Sequence, residues 1–148
     1  MVERAVFLDT NVFMYAAGAS HPCKEPCIRV LVDVEKGNLT AVTNTEVLQE
    51  ILYRYRHLRI PDKGVELCRL VLDYPLAIFP VTEEDIRAAL DLYNLLGSRG
   101  LQPRDAIHAA TMKNHGLSHI ISADRALGHV ETLIRIDPLR YLSWKAET

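Results

Sequence analysis

The chain has 148 residues, of which 49% are hydrophobic and 24% are charged, proportions typical of a folded globular protein and not of a disordered one. Its 17 Lys and Arg residues against 19 Asp and Glu residues give a formal net charge of −2, which excludes a histone-like polycation. There is no apolar run near the roughly 18 residues that a membrane helix needs, and Asp9 interrupts the first apolar run at once, so we expect a cytoplasmic protein without a signal peptide.

Short apolar runs, typical of buried strands, alternate along the chain with longer patterns of helical period. The predicted strands are 5–8, 39–43, 77–79, 119–122 and 133–136. The predicted helices are 24–36, 44–58, 62–73, 83–98 and 103–115. Fully apolar strands that alternate with helices predict an α/β fold in which a parallel sheet is covered by helices on both faces.

The ends of the last predicted helix are marked by two residues with special backbone preferences. Pro103 suits the first helical position, and Gly116 suits the position just after the helix. No internal repeat, low-complexity tract or Gly/Ser-rich linker interrupts the pattern. We therefore expect a single domain over residues 1–148, with its core at 1–136 and a C-terminal tail at 137–148.

The three cysteines, Cys23, Cys27 and Cys68, form no C-x-x-C pair. The spacing of Cys23 and Cys27 could place two thiols on one helical face, but a zinc site would need a second pair at a standard spacing. We expect reduced thiols, as is usual in cytosolic proteins.

Acidic residues lie where the predicted strands end. Asp9 directly follows the first strand, Asp124 follows the fourth, and Asp105 lies in the first turn of the last predicted helix. Glu46 and Glu50 lie four residues apart, and hence on one face, in the helix after the second strand. Taken singly, each acid has a structural explanation, as a helix cap or a solvated surface charge.

Taken together, these acids point to a metal site. In a parallel α/β sheet, ligands bind outside the carboxyl ends of the strands, so the acids would gather at one edge. Gathering carboxylates without cations is costly, because like charges raise one another's pKa. Carboxylate oxygens are the ligands that Mg²⁺ and Mn²⁺ prefer. The pattern therefore predicts metal-assisted hydrolysis of a phosphodiester bond by water, with one or two ions.

Four short motifs occur in the order and spacing found in PIN-domain nucleases, and from about residue 5 to residue 136 the chain resembles that family. The motifs are Leu8-Asp9-Thr10-Asn11-Val12, Val47-Leu48-Gln49-Glu50, Pro103-Arg104-Asp105-Ala106-Ile107-His108-Ala109-Ala110 and Ile121-Ser122-Ala123-Asp124-Arg125. Each motif is weak alone, but four in the correct order form a specific signal.

The resemblance implies a three-layer α/β/α domain with a central parallel sheet of about five strands, and a ribonuclease that depends on Mg²⁺ or Mn²⁺. Many small members are VapC-type toxins, which form homodimers and are inhibited by an antitoxin protein. Four residues match the family's metal-binding acids: Asp9, Glu50, Asp105 and Asp124.

Three polar residues match positions that would orient these acids without binding metal themselves. Thr10 and Asn11 match the polar pair after the first aspartate, and Ser122 matches the hydroxyl residue before the last one. His108 lies three residues after Asp105 on the same side of the helix. It could help to orient a phosphate or a carboxylate there, but we expect a buried histidine with an ordinary hydrogen bond.

One position departs from the family pattern. Many toxin members carry Ser or Thr three residues before the glutamate, and Val47 stands there in this chain. Glu50 is preferred as the ligand, because it lies about two turns into its helix, as in the family. Glu46, one turn nearer the strand, remains an alternative ligand.

Arginines near these acids are candidates for RNA contact. Arg104 and Arg125 each adjoin a predicted ligand and could bind phosphate. Arg54 and Arg56 alternate with aromatic residues near the end of the glutamate helix, which is typical of an RNA-binding segment and equally of a helix end with cations near its C-terminus.

We therefore predict a metal-dependent endoribonuclease, as the toxin of a toxin–antitoxin pair, with RNA as substrate, an antitoxin as partner and no membrane association. The alternatives are a PIN fold that binds RNA or a partner with little catalysis, and an aspartate-based phosphatase, which would want a second Asp where Asn11 stands. A receiver-like module, which is not an enzyme, would require a lysine at the end of the last strand. The segment Ile134-Arg135-Ile136-Asp137 contains no lysine, which disfavours this alternative.

Overall fold

The computed structural model describes residues 4–148, so the first three residues of the predicted domain lie outside the described part of the chain. Within it, five strands form one sheet in the order β3-β2-β1-β4-β5, and all four neighbouring pairs are parallel. The strands are β1 (Val6–Leu8), β2 (Ala41–Asn44), β3 (Ala77–Phe79), β4 (His119–Ile121) and β5 (Ile134–Ile136). The predicted fold is confirmed.

Helices connect the strands and cover the sheet. They are α1 (Thr10–Ala17), α2 (Lys24–Glu35), α3 (Thr45–His57), α4 (Pro61–Asp73), α5 (Glu83–Leu96), α6 (Pro103–Asn114) and α7 (Tyr141–Glu147). Short 3₁₀ turns occupy Gly97–Arg99, Arg125–His129 and Pro138–Arg140. Among residues 4–148, no helix combines the length and the apolar character needed to cross a membrane.

The core lies between the central strand and the helices packed on it. All three residues of β1 are at most 2% exposed, because both faces of this strand are covered. From α6, Ala106, Ala109 and Ala110 are also buried. Their small side chains let the helix approach the sheet closely, and that approach places the N-terminus of α6 beside the end of β1.

The boundaries of α6 confirm the prediction from its punctuation. Pro103 occupies the first turn, where its missing N–H is not needed. The helix ends at Asn114, and Gly116 has a φ of +68°, in the left-handed region that glycine adopts without a steric penalty.

Helix α1 was not predicted, and it follows β1 with only Asp9 between them. Its sequence, TNVFMYAA, contains β-branched, aromatic and Asn residues of low helix propensity, so its pattern did not stand out. Tertiary packing outweighs propensity here, because Val12 and Phe13 are buried in the core. The Asp9 carboxylate also caps the helix by accepting a hydrogen bond from the Thr10 backbone N–H.

The C-terminal tail packs against α2. The ring of Tyr141 is fully buried, and its hydroxyl donates a 2.7 Å hydrogen bond to Oδ2 of Asp33. Trp144 also packs against the buried core. The three cysteines Cys23, Cys27 and Cys68 are buried free thiols, as predicted.

Between β1 and β4 the direction in which successive strands are added to the sheet reverses. The chain runs outwards from β1 to β2 and β3 on one side, then continues on the other side with β4 and β5. In an open parallel sheet, the crevice outside the carboxyl ends of the strands at such a reversal is the usual ligand site. In this chain, Asp9 and Asp124 follow β1 and β4 at that crevice.

Candidate metal centre

One cavity, of about 440 Å³, opens at the carboxyl ends of β1 and β4. Four separate segments each contribute an acid to its lining, namely Asp9, Glu50, Asp105 and Asp124. The structure thus brings together the four acids that the sequence motifs single out, although they are as much as 115 residues apart in the chain (Asp9 to Asp124).

Asp9 is held in one orientation by three neighbouring polar residues. Its Oδ2 accepts hydrogen bonds from the Ser122 hydroxyl at 2.6 Å and from the Asn11 side-chain amide at 3.2 Å. Its Oδ1 accepts from the Thr10 backbone N–H at 2.7 Å. Burial raises the pKa of Asp9 above its ordinary value, and the nearby His108 together with the hydrogen bonds from Ser122 and Thr10 only partly offsets that effect.

Glu50 is 7% exposed and is held by a hydroxyl and a cation. Its Oε1 accepts a 2.8 Å hydrogen bond from the Thr10 hydroxyl, and its Oε2 lies 3.0 Å from Nε of Arg104. Burial acts to raise the pKa of Glu50, but the neighbouring His108, the Thr10 hydroxyl and Arg104 together lower it below its ordinary value. Glu50 is therefore an anion at neutral pH.

Asp105 and Asp124 lie close enough to affect one another's charge. Asp105 is 1% exposed, and its Oδ2 accepts a 3.0 Å hydrogen bond from the Gln102 backbone N–H. Burial, a hydrogen bond with Asp124 and the charge of Asp9 raise the pKa of Asp105 to about 7. Asp124 caps the following 3₁₀ turn by accepting from the Ala126 N–H at 3.0 Å. A cation between these carboxylates would remove the repulsion that holds a proton on the pair.

His108 lies beside Asp9 and Glu50, in the position of the alternative role considered from the sequence, next to carboxylates. Its ring is fully buried, with Nε2 3.5 Å from Oδ1 of Asp9 and 3.6 Å from Oε1 of Glu50. Within the described residues neither ring nitrogen makes a hydrogen bond of ordinary length, so that part of the prediction is wrong. Burial acts to lower the pKa of His108, but the two carboxylates raise it above its ordinary value. The raised pKa means that the two carboxylates favour the protonated, positively charged form of the ring.

The two glutamates considered from the sequence have different positions. Glu50 lines the cavity, whereas Glu46 is half-buried one turn earlier and is not among the lining side chains. Burial raises the pKa of Glu46, and the charge of Glu50 adds to that effect. Val47, at the position that departs from the family pattern, is fully buried in the core. Thr10 supplies Glu50 with a hydroxyl partner instead.

The four arginines that the sequence suggests for RNA contact also differ in whether they line the cavity. Arg104 and Arg54 line the cavity. Arg56 and Arg125 are not among its lining side chains, although Arg54 is exposed as they are.

The donor set fits a hard divalent cation. The cavity presents four carboxylates, two of them among the most deeply buried acids of the described chain, and all of the predicted ligands donate oxygen. One oxygen each of Asp9 and Glu50 and one nitrogen of His108 lie within 4.8 Å of one another. Among residues 4–148, no group of three possible metal ligands that includes Cys23 and Cys27 lies within that distance.

Comparison with known proteins identifies the same family that the sequence motifs resemble. The sequence model of the PIN domain family matches residues 6–133. Ribonuclease VapC13 of Mycobacterium tuberculosis is 33% identical over 120 residues, which cover 81% of this chain and 90% of the relative. Ribonuclease VapC7 of the same organism is 28% identical over 134 residues, which cover 90% of this chain and 91% of the relative.

Two solved structures have the same fold. Mycobacterium tuberculosis VapC20, described as a sarcin–ricin loop cleaving toxin, superimposes with a TM-score of 0.71 at 16% identity, over 84% of this chain and 95% of that one. VapBC2 from Rickettsia felis, bound to a DNA fragment from its promoter, gives a TM-score of 0.67 at 18% identity, over 89% of this chain and 97% of that one.

Proposed function

Because this chain belongs to the PIN domain family, we propose that it is an endoribonuclease that hydrolyses RNA phosphodiester bonds with one or two Mg²⁺ or Mn²⁺ ions. The observation that carries the proposal is the convergence of four carboxylates on one cavity at the carboxyl ends of β1 and β4. Similarity to VapC ribonucleases over most of both chains supports RNA as the substrate.

Four acids would hold the cation: Asp9, Glu50, Asp105 and Asp124. When bound, a divalent cation polarises the phosphate oxygens and lowers the pKa of water. The protein contributes the orientation of the carboxylates. Ser122, Asn11 and the Thr10 N–H fix both oxygens of Asp9, and the Thr10 hydroxyl fixes Glu50. Such outer contacts determine how well a site holds metal.

The arginines of the cavity would act on the substrate phosphates. Arg104 and Arg54 both line the cavity, and Arg104 already pairs with Glu50 at 3.0 Å. A guanidinium in this position can donate hydrogen bonds to phosphate oxygens while it remains close to the carboxylates. Arg104 and Arg54 are therefore the stronger candidates for RNA contact, and Arg56 and Arg125 the weaker.

No protein nucleophile is needed, and the structure favours none. An aspartate-based phosphatase would use a second acid two residues after Asp9, but Asn11 stands there and donates its amide to Asp9 Oδ2 and toward Ser122 Oγ at 3.3 Å. Asn11 thus serves as an orienting group.

The proposal extends to partners. We infer that the chain is the toxin of a VapBC-type pair, is inhibited by an antitoxin protein, forms a homodimer and acts in the cytoplasm. The relatives named VapC support the toxin assignment, and the Rickettsia felis neighbour is a VapBC assembly.

The test is cleavage of a mixed panel of single-stranded and stem–loop RNAs with Mg²⁺, with Mn²⁺ and with EDTA. We expect cleavage only with a divalent cation, and products without a 2′,3′-cyclic phosphate, because water and not the 2′-hydroxyl attacks the phosphorus. Cleavage that persists in EDTA, or products that end in a cyclic phosphate, would contradict the proposal. Tight RNA binding without cleavage under every condition would favour the PIN-fold binding protein with little catalysis.

A further inference from the structure

Two aromatic side chains form part of the wall of the acidic cavity. Tyr15, near the end of α1, and His21, in the loop before α2, both line it. Their ring centroids are 4.4 Å apart and their planes differ by 21°, so the rings are stacked. Tyr15 is half-buried and His21 is exposed, so the pair presents an aromatic surface at the cavity beside the candidate metal ligands.

The loop that carries His21 is held in place. The Cys23 backbone N–H donates a 3.0 Å hydrogen bond to Nδ1 of His21, and Nζ of Lys24 donates a 2.6 Å hydrogen bond to the carbonyl of Gly18. A Cβ added at Gly18 would lie only 2.8 Å from the Met14 carbonyl oxygen, so a larger residue here would force the backbone to shift. A fixed loop loses little conformational entropy when a ligand binds.

The hydrogen bond to His21 also determines its donor and acceptor pattern. Because Nδ1 accepts from the Cys23 N–H, the neutral ring carries its proton on Nε2. That N–H can donate to a carbonyl oxygen or a ring nitrogen of a nucleobase. Since one face of the ring is stacked on Tyr15, the other face of this exposed residue is the one that can receive a base.

A cation lies next to the same pair. Arg54 lines the cavity with Tyr15 and His21. Burial raises the pKa of Tyr15 above its ordinary value, and the nearby positive charge of Arg54 acts against that rise. Aromatic stacking combined with a neighbouring cation is how proteins hold single-stranded nucleic acid.

We propose that Tyr15 and His21 form a subsite that stacks one unpaired nucleobase of the RNA substrate, while Arg54 contacts an adjoining phosphate. The subsite rests on the proposed ribonuclease function and adds to it how the substrate is positioned. A cavity of about 440 Å³ accommodates a group the size of a nucleotide. Stacking accepts every base, whereas the Nε2–H of His21 favours a base that presents an acceptor toward it.

The test measures binding of short single-stranded RNAs in which an abasic nucleotide replaces one position at a time. Fluorescence anisotropy is read with Ca²⁺ in place of Mg²⁺, and the RNA is checked for integrity on a gel. The variants are His21→Ala, Tyr15→Leu and Tyr15→Phe. The chain offers a control pair of the same residue types. The rings of Tyr53 and His57 also lie close together, with centroids 4.3 Å apart and planes tilted by 43°, but both residues are exposed on α3 and are not among the side chains that line the cavity.

We expect the wild type to lose roughly tenfold in affinity when the base is removed at one position, within the range that stacking on an aromatic side chain supplies. His21→Ala and Tyr15→Leu should weaken binding of the intact RNA by a similar factor. These variants should bind the abasic RNA and the intact RNA with the same affinity, which is the loss of the abasic response. Tyr15→Phe, which keeps the ring, should behave like the wild type. The control variant Tyr53→Leu/His57→Ala should keep the abasic response.

Two outcomes would overturn the proposal, and they are distinguishable. If the wild type cleaves RNA with Mg²⁺ but His21→Ala and Tyr15→Leu keep the abasic response, the subsite is wrong and the ribonuclease function stands. If the wild type neither binds nor cleaves any RNA of the panel, both the subsite and the proposed function are wrong. Because His21 is exposed, His21→Ala is expected to fold, which its thermal unfolding curve checks.

Discussion

Asp105 is an acid of the cavity whose protonation depends strongly on the neighbouring carboxylates. Burial and the neighbouring Asp124 and Asp9 raise its pKa to about 7, far above the value of 3.8 that an isolated aspartate has. Folding therefore favours the protonated form of Asp105 when no cation is present. The stability that this proton provides is fully present below pH 3.8 and is lost as the pH rises through about 7.

We predict that in EDTA the contribution of Asp105 lowers the free energy of unfolding between about pH 4 and pH 8. Asp105→Asn cannot ionise, so this variant should lose less stability than the wild type over the same range. Adding Mg²⁺ at pH 8 should stabilise the wild type and have little effect on the variant. Urea unfolding followed by circular dichroism measures both. Equal pH dependence in the wild type and in Asp105→Asn would contradict the prediction, and Asp91→Asn, an exposed acid on α5, is the control.

At the scale of elements, the tail helix α7 is joined to α2 by a single buried polar contact. The Tyr141 hydroxyl donates to Asp33 Oδ2 at 2.7 Å, and Arg29 lies 3.3 Å from Oδ1 of the same carboxylate. Asp33 is 4% exposed, so water cannot replace the lost partner freely.

We predict that Tyr141→Phe lowers the free energy of unfolding by about 1–3 kcal/mol, because a buried carboxylate oxygen loses its hydrogen bond while the ring stays in place. Chemical denaturation of the variant measures the change. Tyr93→Phe on α5, where the side chain is 45% exposed, should cost under about 0.5 kcal/mol. Equal effects of the two substitutions would indicate that the tail contributes nothing through this contact.

The elements also show what could be predicted from the sequence. The apolar runs predicted the strands, and Pro103 and Gly116 predicted the limits of α6. Both could be predicted because these signals depend only on neighbouring residues in the chain. Helix α1 escaped prediction because burial of Val12 and Phe13, a tertiary effect, stabilises a segment of low propensity.

The same distinction applies to the candidate site. Its four acids could be selected because they follow strands or begin a helix, and parallel strands place such positions at one edge. The position of His108 beside Asp9 and Glu50 depends on contacts between residues 99 and 58 positions apart, for which the sequence has no local signal. The stacking of Tyr15 on His21 likewise depends on the path of a loop.

At the scale of the whole molecule, self-association is the next property to measure. Leu90 and Leu95 on α5 are 62% and 70% exposed, which leaves apolar surface that a dimer could bury. We predict a mass of twice the 16.7 kDa chain by sedimentation equilibrium at micromolar concentration. A mass equal to one chain over the same concentrations would exclude the proposed homodimer.

The measurement that tests the central proposal most directly is Mg²⁺ or Mn²⁺ binding by calorimetry, combined with RNA cleavage on the same samples, for the wild type, Asp9→Asn, Asp105→Asn and the control Asp91→Asn. We predict that the wild type and the control bind the cation and cleave RNA. Asp9→Asn and Asp105→Asn should remain folded, bind the cation more weakly and lose at least about a hundredfold in cleavage, since loss of an orienting residue alone costs up to about that much. Undiminished cation binding and cleavage in both substituted proteins would contradict the proposed metal site.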